Sequence, residues 1–338
     1  MSVQISLQDA ADFLQAHDNY LILSHRRPDG DTVGCCAALC RGLRAIGKQA
    51  WVYANPQFTP RFAPYLEGLI GRPDLRPPHS GAAAGEDGGQ GAGCRTQELC
   101  IISCDVASRS LLPFGMEDAA VALALDHHGT NDGFAAQTHT DEGRAACGEL
   151  ILELLSLIGA KLSKETADAL YVAISTDTGC FRYSNVTAAT FRCAAACAEA
   201  GAEVFPINRA FFEIKRRPRL ALEAWLVEHI EYFAGGRVAV SAIPSELMGR
   251  LALTEDDIDD ISGFGRSIEG VEIAVMLREV EGGKGKISLR TGLNFNAAEI
   301  CAKLGGGGHP GAAGAAVDGG IPAAREAILR AIGEEIKL

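Results

Sequence analysis

Along the first half of the chain, apolar residues come in short unbroken runs separated by stretches with helical spacing. Leu21-Ile-Leu23, Leu99-Cys-Ile-Ile-Ser-Cys104 and Val121-Ala-Leu-Ala-Leu125 have no polar alternation, as expected of strands buried on both faces. Residues 20–24 and 49–54 complete the strand pattern, and helices are predicted over 6–17, 33–46, 60–69, 144–158, 164–175 and 188–200. A β-α-β rhythm of this kind implies an α/β fold with a doubly wound, mainly parallel sheet. The second half has a different rhythm. A helix over 220–229, strands over 231–234 and 237–242, helices over 245–251 and 254–261, and a hairpin of 271–279 with 284–290 precede a helix over 297–304. A Gly-rich loop, one strand and a terminal helix follow. This predicts a smaller α/β domain with a mixed sheet. Pro218 and the charge run Lys215-Arg-Arg-Pro-Arg219 place a linker over 201–219, between domains at 1–200 and 220–338. That run reads as a solvated linker, with phosphate steering as the alternative.

Composition adds bounds. A chain of 338 residues that is 47% hydrophobic can fill two cores. The stretch 71–97, with Ser80–Gly93 made almost entirely of small and polar residues, has little to bury and reads as a surface insertion. A net charge of −12 argues against a general nucleic-acid coat. It does not argue against a nucleotide site, where bound cations reverse the local sign. The eleven cysteines form no CxxC pair. Cys36 with Cys40, and Cys193 with Cys197, share helix faces as small buried apolar residues, and a reducing, cytoplasmic setting is expected. Residues 6–17 read as an amphipathic helix rather than a secretory signal. No apolar run reaches the roughly 18 residues that span a bilayer, so no membrane association is expected.

The candidate chemistry lies where these elements end. The first strand runs into His25-Arg-Arg-Pro-Asp29-Gly-Asp31, the strand over 99–104 delivers Asp105, the next delivers Asp126-His127-His128, and a helix ends at Asp177. Open α/β sheets bind ligands at the carboxyl ends of their strands. One acid at a strand end is ordinary capping; repeated delivery in one domain is not. Crowded carboxylates repel, and a divalent cation would relieve them. Oxygen and imidazole donors suit Mn, Mg, Zn or Fe. From the His25–Asp31 loop alone, a solvated acidic turn with an incidental His remains the alternative. In the second half, Gly305–Gly308 would let backbone amides approach an anion, with His309 as an added donor; a plain flexible loop is the other reading. Arg290 ends a strand, suited to bidentate phosphate contact or to a surface salt bridge.

Taken together, His25-x3-Asp29-x-Asp31, Asp105, Asp126-His127-His128 and Asp177 resemble, in order and context, the four motifs of the DHH phosphoesterase superfamily. Gly306-Gly-Gly-His309-x2-Ala-Ala-Gly314, preceded by Ser288-Leu-Arg290, resembles the DHH-associated C-terminal domain. The resemblance covers nearly the whole chain, and its compact length is most similar to the group of bifunctional oligoribonucleases and pAp phosphatases. It implies two divalent ions, Mn2+ first and Mg2+ or Co2+ as alternatives. His25 and Asp29 would hold one, Asp31, His127 and Asp177 the other, and Asp105 both. It further implies in-line attack by a water between the metals, with Asp105, Asp126 and His128 as the catalytic set. Asp126 would orient a neighbouring His, and His128 would face the scissile phosphate as donor or general acid, a purely structural His being the alternative. Arg290, Gly307, Gly308 and His309 would bind the terminal nucleotide or its phosphate across an interdomain cleft. Thr176 and Thr178 would shape the turn bearing Asp177; the part played by Asn131 stays open. The implied activity is hydrolysis of short single-stranded RNA and of pAp. The alternatives are a phosphodiesterase for linear or cyclic dinucleotides, or a weakly catalytic nucleotide sensor. The sequence leaves open whether the chain forms a homodimer.

Overall fold

A computed structural model describes residues 2–71, 99–258, 261–280 and 282–336. Apart from Gly71, the predicted insertion at 71–97 lies outside the described residues. The chain divides into two compact units, Met1–Ile214 and Lys215–Leu338.

The first unit runs β1 (Val3–Gln4), α1 (Leu7–Ala16), β2 (Tyr20–Leu23), α2 (Gly30–Ala45), β3 (Ala50–Val52), α3 (Ala63–Leu66), β4 (Cys100–Cys104), β5 (Leu123–Asp126), β6 (Gln137–Thr140), α4 (Cys147–Leu157), α5 (Lys164–Asp177), α6 (Ala188–Glu199) and α7 (Val204–Asn208). Its sheet has the order β1-β6-β5-β4-β2-β3, and every pairing is parallel. The apolar runs form its centre, and their residues alternate between two cores. Tyr20, Ile22, Ile102, Leu123 and Leu125 pack against α1, α2, α4 and α5. Leu21, Leu23, Ile101 and Ala124 pack against Val106, Leu112, Met116 and Val121. Two strands escape the sequence pattern. β1 is only two residues long, and β6 is Gln-Thr-His-Thr; short polar edge strands carry no apolar period. The helix predicted from residue 33 starts at Gly30, because the Asp29 carboxylate caps it by accepting from the Asp31 and Thr32 amides.

Residues read as linker are folded. α7 and a wide turn over Arg209–Glu213 belong to the first unit, and α8 (Arg217–His229) opens the second. Within the basic run, Lys215 and Arg219 pair with Glu223 and Arg216 pairs with Asp257, which accounts for these charges structurally.

The second unit continues with β7 (Glu231–Phe233), β8 (Val238–Ile243), α9 (Ser245–Arg250), α10 (Glu255–Ile258), β9 (Ile273–Val280), β10 (Lys284–Thr291), α11 (Ala297–Ala302), β11 (Gly307–His309), β12 (Ala312–Asp318) and α12 (Gly320–Gly333). The sheet order is β11-β12-β10-β9-β8-β7, mixed because β8 and β9 alone run parallel. Val275, Leu277, Ile287 and Leu289 pack with Ile328 and Ile332 of α12 in one core. The Gly-rich stretch expected as a loop is instead half of a tight antiparallel hairpin, with Gly307 opposite Gly314 and His309 opposite Ala312. Among the described residues no helix is long and apolar enough to cross a membrane.

Candidate metal centre

Strand register builds the site. Leu23 lies opposite Ser103 on β2 and β4, and Cys104 lies opposite Leu125 on β4 and β5. The residues just beyond these pairs, His25, Asp105 and Asp126, therefore leave the sheet side by side. Thr32 locks the first loop to the second strand: its hydroxyl accepts from the His25 amide at 3.2 Å and donates to the Cys104 carbonyl at 2.8 Å.

Each imidazole is oriented by its other nitrogen. His25 donates from Nδ1 to the Arg26 carbonyl at 2.9 Å, which leaves Nε2 facing Asp29 at 3.4 Å and Asp105 at 3.7 Å. His127 donates from Nδ1 to the Arg144 carbonyl at 3.2 Å. Its Nε2 then faces Asp105 and Asp177, each at 3.5 Å, and Asp31 at 3.8 Å. Backbone carbonyls only accept, so in the neutral imidazoles the Nε2 lone pairs would point into the cluster, the arrangement common to metal-ligating histidines.

The carboxylates are held by backbone. Asp29 caps α2. Asp31, buried in the first turn of α2, accepts from the Cys147 amide at 2.6 Å and the Gly148 amide at 2.9 Å. It thus sits on the amino end of α4, where unsatisfied amides favour an anion. Asp177 ends α5, and glycines let α5 lie against α2. A Cβ on Gly34 would stand 2.3 Å from the Ala169 carbonyl, and one on Gly30 would stand 2.3 Å from the Thr176 hydroxyl. Thr176 and Thr178 donate to carbonyls of their own helix, Val172 and Ile174, and so shape its last turn. Asp105 is 4% exposed and takes a left-handed backbone (φ 60°), and its Oδ1 has no hydrogen-bond partner among the described residues. A strained, buried, half-unsatisfied carboxylate is costly unless something else satisfies it.

Three groups that could hold a metal ion result among the described residues: His25, Asp29 and Asp105; Asp31, His127 and Asp177; and Asp105, His127 and His128. Within each, the donor atoms all lie within 4.8 Å of one another. Asp105 also faces the second triad through His127. Asp126 stands apart from all three. Its Oδ1 accepts from His128 Nδ1 at 2.7 Å and from the His127 amide at 2.8 Å, while Oδ2 accepts from Asn131 at 2.7 Å. Asn131 fastens Asp126, and Asp126 orients His128.

Electrostatics identify what this donor set lacks. Burial, with Asp105, Asp177 and Asp29 nearby, pushes Asp31 well above the carboxylate range. Burial and Asp29 raise Asp105. Burial raises Asp177 to about 7, against the pull of His127. Desolvation opposes the charge of His25, yet Asp29 and Asp105 lift it to about 9, and His25 in return holds Asp29 down near 2. Four carboxylates facing two imidazoles need positive charge. Two divalent cations would match the four formal charges, and an all-oxygen-and-imidazole set fits them.

In the second unit, Arg290 and His309 both lie opposite Ala312, on β10 and β11 respectively. They therefore share one sheet face on either side of a small residue. Two of the glycines have a structural cause. A Cβ on Gly306 would stand 2.1 Å from the Gly314 carbonyl, and Gly308, at φ 148°, would meet the Ala312 carbonyl at 2.5 Å. Gly307 has open space.

Sequence reading did not find the Cys147 and Gly148 amides on Asp31 or the Arg144 carbonyl on His127. Backbone groups leave no trace in residue type. It left Asn131 undecided.

A family model for the N-terminal domain of the DHH family matches residues 19–174, and one for the DHHA1 domain matches residues 235–338. The chain belongs to the DHH family of phosphoesterases, a divalent-metal-dependent family, and carries a DHHA1 domain. Within that family it is similar to the bifunctional oligoribonuclease and PAP phosphatase NrnA of Thermus thermophilus, with 31% identity over 316 residues that cover 93% of this chain and 89% of the relative. The NrnA of Mycoplasma pneumoniae is 25% identical, covering 92% of this chain and 91% of its own. The solved structure of an exopolyphosphatase-related protein from Bacteroides fragilis matches the fold with a TM-score of 0.79 at 21% identity, covering 97% of this chain and 95% of that one.

Proposed function

We propose that the protein hydrolyses phosphoester bonds in short oligoribonucleotides and removes a phosphate from pAp. The observation that carries this reading is the clustering of His25, Asp29 and Asp105 next to Asp31, His127 and Asp177, with Asp105 also facing His127. Similarity along nearly the full length to relatives that bear this activity in their names supports the substrate class. His25, Asp29 and Asp105 would hold one divalent cation, and Asp31, His127, Asp177 and the same Asp105 the other; Mn2+ is the ion proposed. Such a pair supplies charge relief to the phosphoryl oxygens and a water acidic enough to attack near neutral pH.

The remaining work falls to this chain's own side chains. His128 is held by Asp126. Burial opposes its charge, but that hydrogen bond and Asp105 raise it to about 9. With Nδ1 bonded to Asp126, its Nε2 would be the donor to a phosphoryl or leaving-group oxygen. Arg290 and His309, with the open backbone of Gly307 and Gly308, are proposed to bind the far nucleotide or its terminal phosphate. A cytoplasmic setting is proposed on the ten described cysteines, all free thiols.

The test is a turnover panel in Mn2+ running from pAp through pApA and cyclic di-AMP to longer RNA and DNA. Rates on pAp and dinucleotides should exceed those on long RNA and on DNA. Absence of turnover on pAp and on every oligoribonucleotide would overturn the reading. Arg290→Ala and His309→Ala should weaken dinucleotide binding while Mn2+ affinity by calorimetry stays unchanged; a loss of metal in either would show that these residues do not serve the substrate.

A further inference from the structure

The turn that follows Asp177 is unusual. Gly179, Cys180 and Phe181 are three successive left-handed residues, with φ of 55°, 59° and 62°. Glycine adopts this conformation freely, but Cys and above all a bulky Phe do so at a cost. Such strain persists only where the surroundings enforce it, and it concentrates at functional sites.

The surroundings here can be named. The Thr178 carbonyl accepts from the amides of Arg182 and Tyr183, at 3.0 and 3.1 Å. Arg182 Nε donates to the Gly179 carbonyl at 2.5 Å. Asn185 closes the far side, its amide nitrogen donating to the Asp177 carbonyl at 3.2 Å and to the Ala145 carbonyl at 2.9 Å. Residues 178–185 thus form a closed loop that starts at a candidate metal ligand and is tied back to that ligand's own carbonyl.

The loop divides its aromatic rings. Phe181 packs inward against Tyr171 and Phe191. Tyr183 is 55% exposed. Its ring occupies the place where a Cβ on residue 179 would be, 2.3 to 2.7 Å from the ring carbons. Gly179 takes its left-handed backbone freely, and its missing Cβ leaves room for this ring. No hydrogen bond of the Tyr183 hydroxyl occurs among the described residues. A closed, strained loop therefore carries an aromatic ring that lies over Gly179 with about half of it in solvent, six residues from Asp177.

We propose that Tyr183 is a stacking platform for one base of the nucleotide substrate, carried on the loop that leaves the candidate ligand Asp177. Aromatic faces suit this role because every base has a π-face, so grip comes without sequence preference. A Tyr side chain has only two rotatable torsions and so loses little conformational freedom on binding. The inference rests on the nucleotide reading of the site, and it names a residue that grips the base rather than the phosphate.

The test compares wild type, Tyr183→Ala and Tyr183→Phe on pApA and on two analogues, each lacking one of the two bases. Both KM in Mn2+ and equilibrium Kd with Ca2+ in place of Mn2+ are read. Tyr183→Ala should raise KM and Kd for pApA by about ten-fold and change kcat by less than about two-fold, with Mn2+ affinity unchanged. Tyr183→Phe, which keeps the ring, should stay close to wild type. For one of the two abasic analogues, the difference between wild type and Tyr183→Ala should vanish. Equal loss on pApA and both abasic analogues would overturn the platform, as would an unchanged KM and Kd. A shift in oligomeric state on sizing without a change in KM would assign the ring to protein contact instead, and overturn it too. A wild type that neither binds nor cleaves pApA removes the nucleotide reading itself, and the platform with it. A wild type that binds and cleaves pApA with the same KM and Kd as Tyr183→Ala removes the platform alone.

Discussion

At the residue scale, Asp105 concentrates the constraints: strained backbone, near-complete burial, an oxygen with no hydrogen-bond partner among the described residues, and contact with His25 and His127. Asp105→Ala should abolish turnover and weaken binding of both ions, seen as loss of two-site Mn2+ binding by calorimetry. His128→Ala should lower kcat by roughly 10²- to 10⁴-fold, the usual worth of a general acid, and leave that calorimetric trace intact. The titrations also predict a pH dependence in the metal-free protein. Asp177 is raised from 3.8 to about 7, so the folded state holds a proton that the unfolded state releases, and stability falls as pH rises through this window. His25 and His128, raised from 6.5 to about 9, act in the same direction: their contribution is complete below 6.5 and is lost as pH climbs through 9. Asp29, held near 2, has the opposite sign, but only below about 4. Urea midpoints in EDTA should therefore decline from pH 5 to 7 to 9, and saturating Mn2+ should flatten that decline.

At the scale of elements, the centre depends on how closely α2 and α5 approach. Gly34 faces a backbone carbonyl at 2.3 Å, which cannot step aside, whereas a Cβ on Gly42 would meet only the end of the Leu155 side chain at 2.2 Å. Gly34→Ala should cost about 1–3 kcal/mol by overpacking, and Gly42→Ala less, as measured by denaturant unfolding. Gly34→Ala should also weaken Mn2+ binding, because spreading the helices separates Asp31 from Asp177. The elements themselves were largely legible in the sequence. Buried central strands announce themselves as apolar runs, and α5, predicted over 164–175, extends over Lys164–Asp177. β1, β6 and β11 were not legible. Each is short, polar or glycine-rich, and its pairing is decided by distant segments.

For the whole molecule, the two compact units have separate cores and separate chemistry. All the candidate metal ligands lie in the first. Cation binding stabilises the state it binds, by about 2.7 kcal/mol at a hundred times Kd. Scanning calorimetry should show that adding Mn2+ to EDTA-treated protein raises the transition of the first unit and leaves that of the second in place. Equal shifts in both would show that the units do not unfold separately.

By itself the sequence determined the order of strands and helices and the places where acids and histidines are handed to the ends of those elements. Both are local properties: side-chain period and adjacency in the chain. It also supplied the family likeness, carried by motifs at His25–Asp31, Asp105, Asp126–His128, Asp177 and Gly306–Gly314. Only the tertiary structure decided that Asp177 meets His127, that the amino end of α4 holds Asp31, and that Tyr183 is seated over Gly179. Those relations join segments far apart in the chain, or turn on carbonyls, amides and a missing Cβ. Residue type does not encode them one position at a time; the packed backbone does.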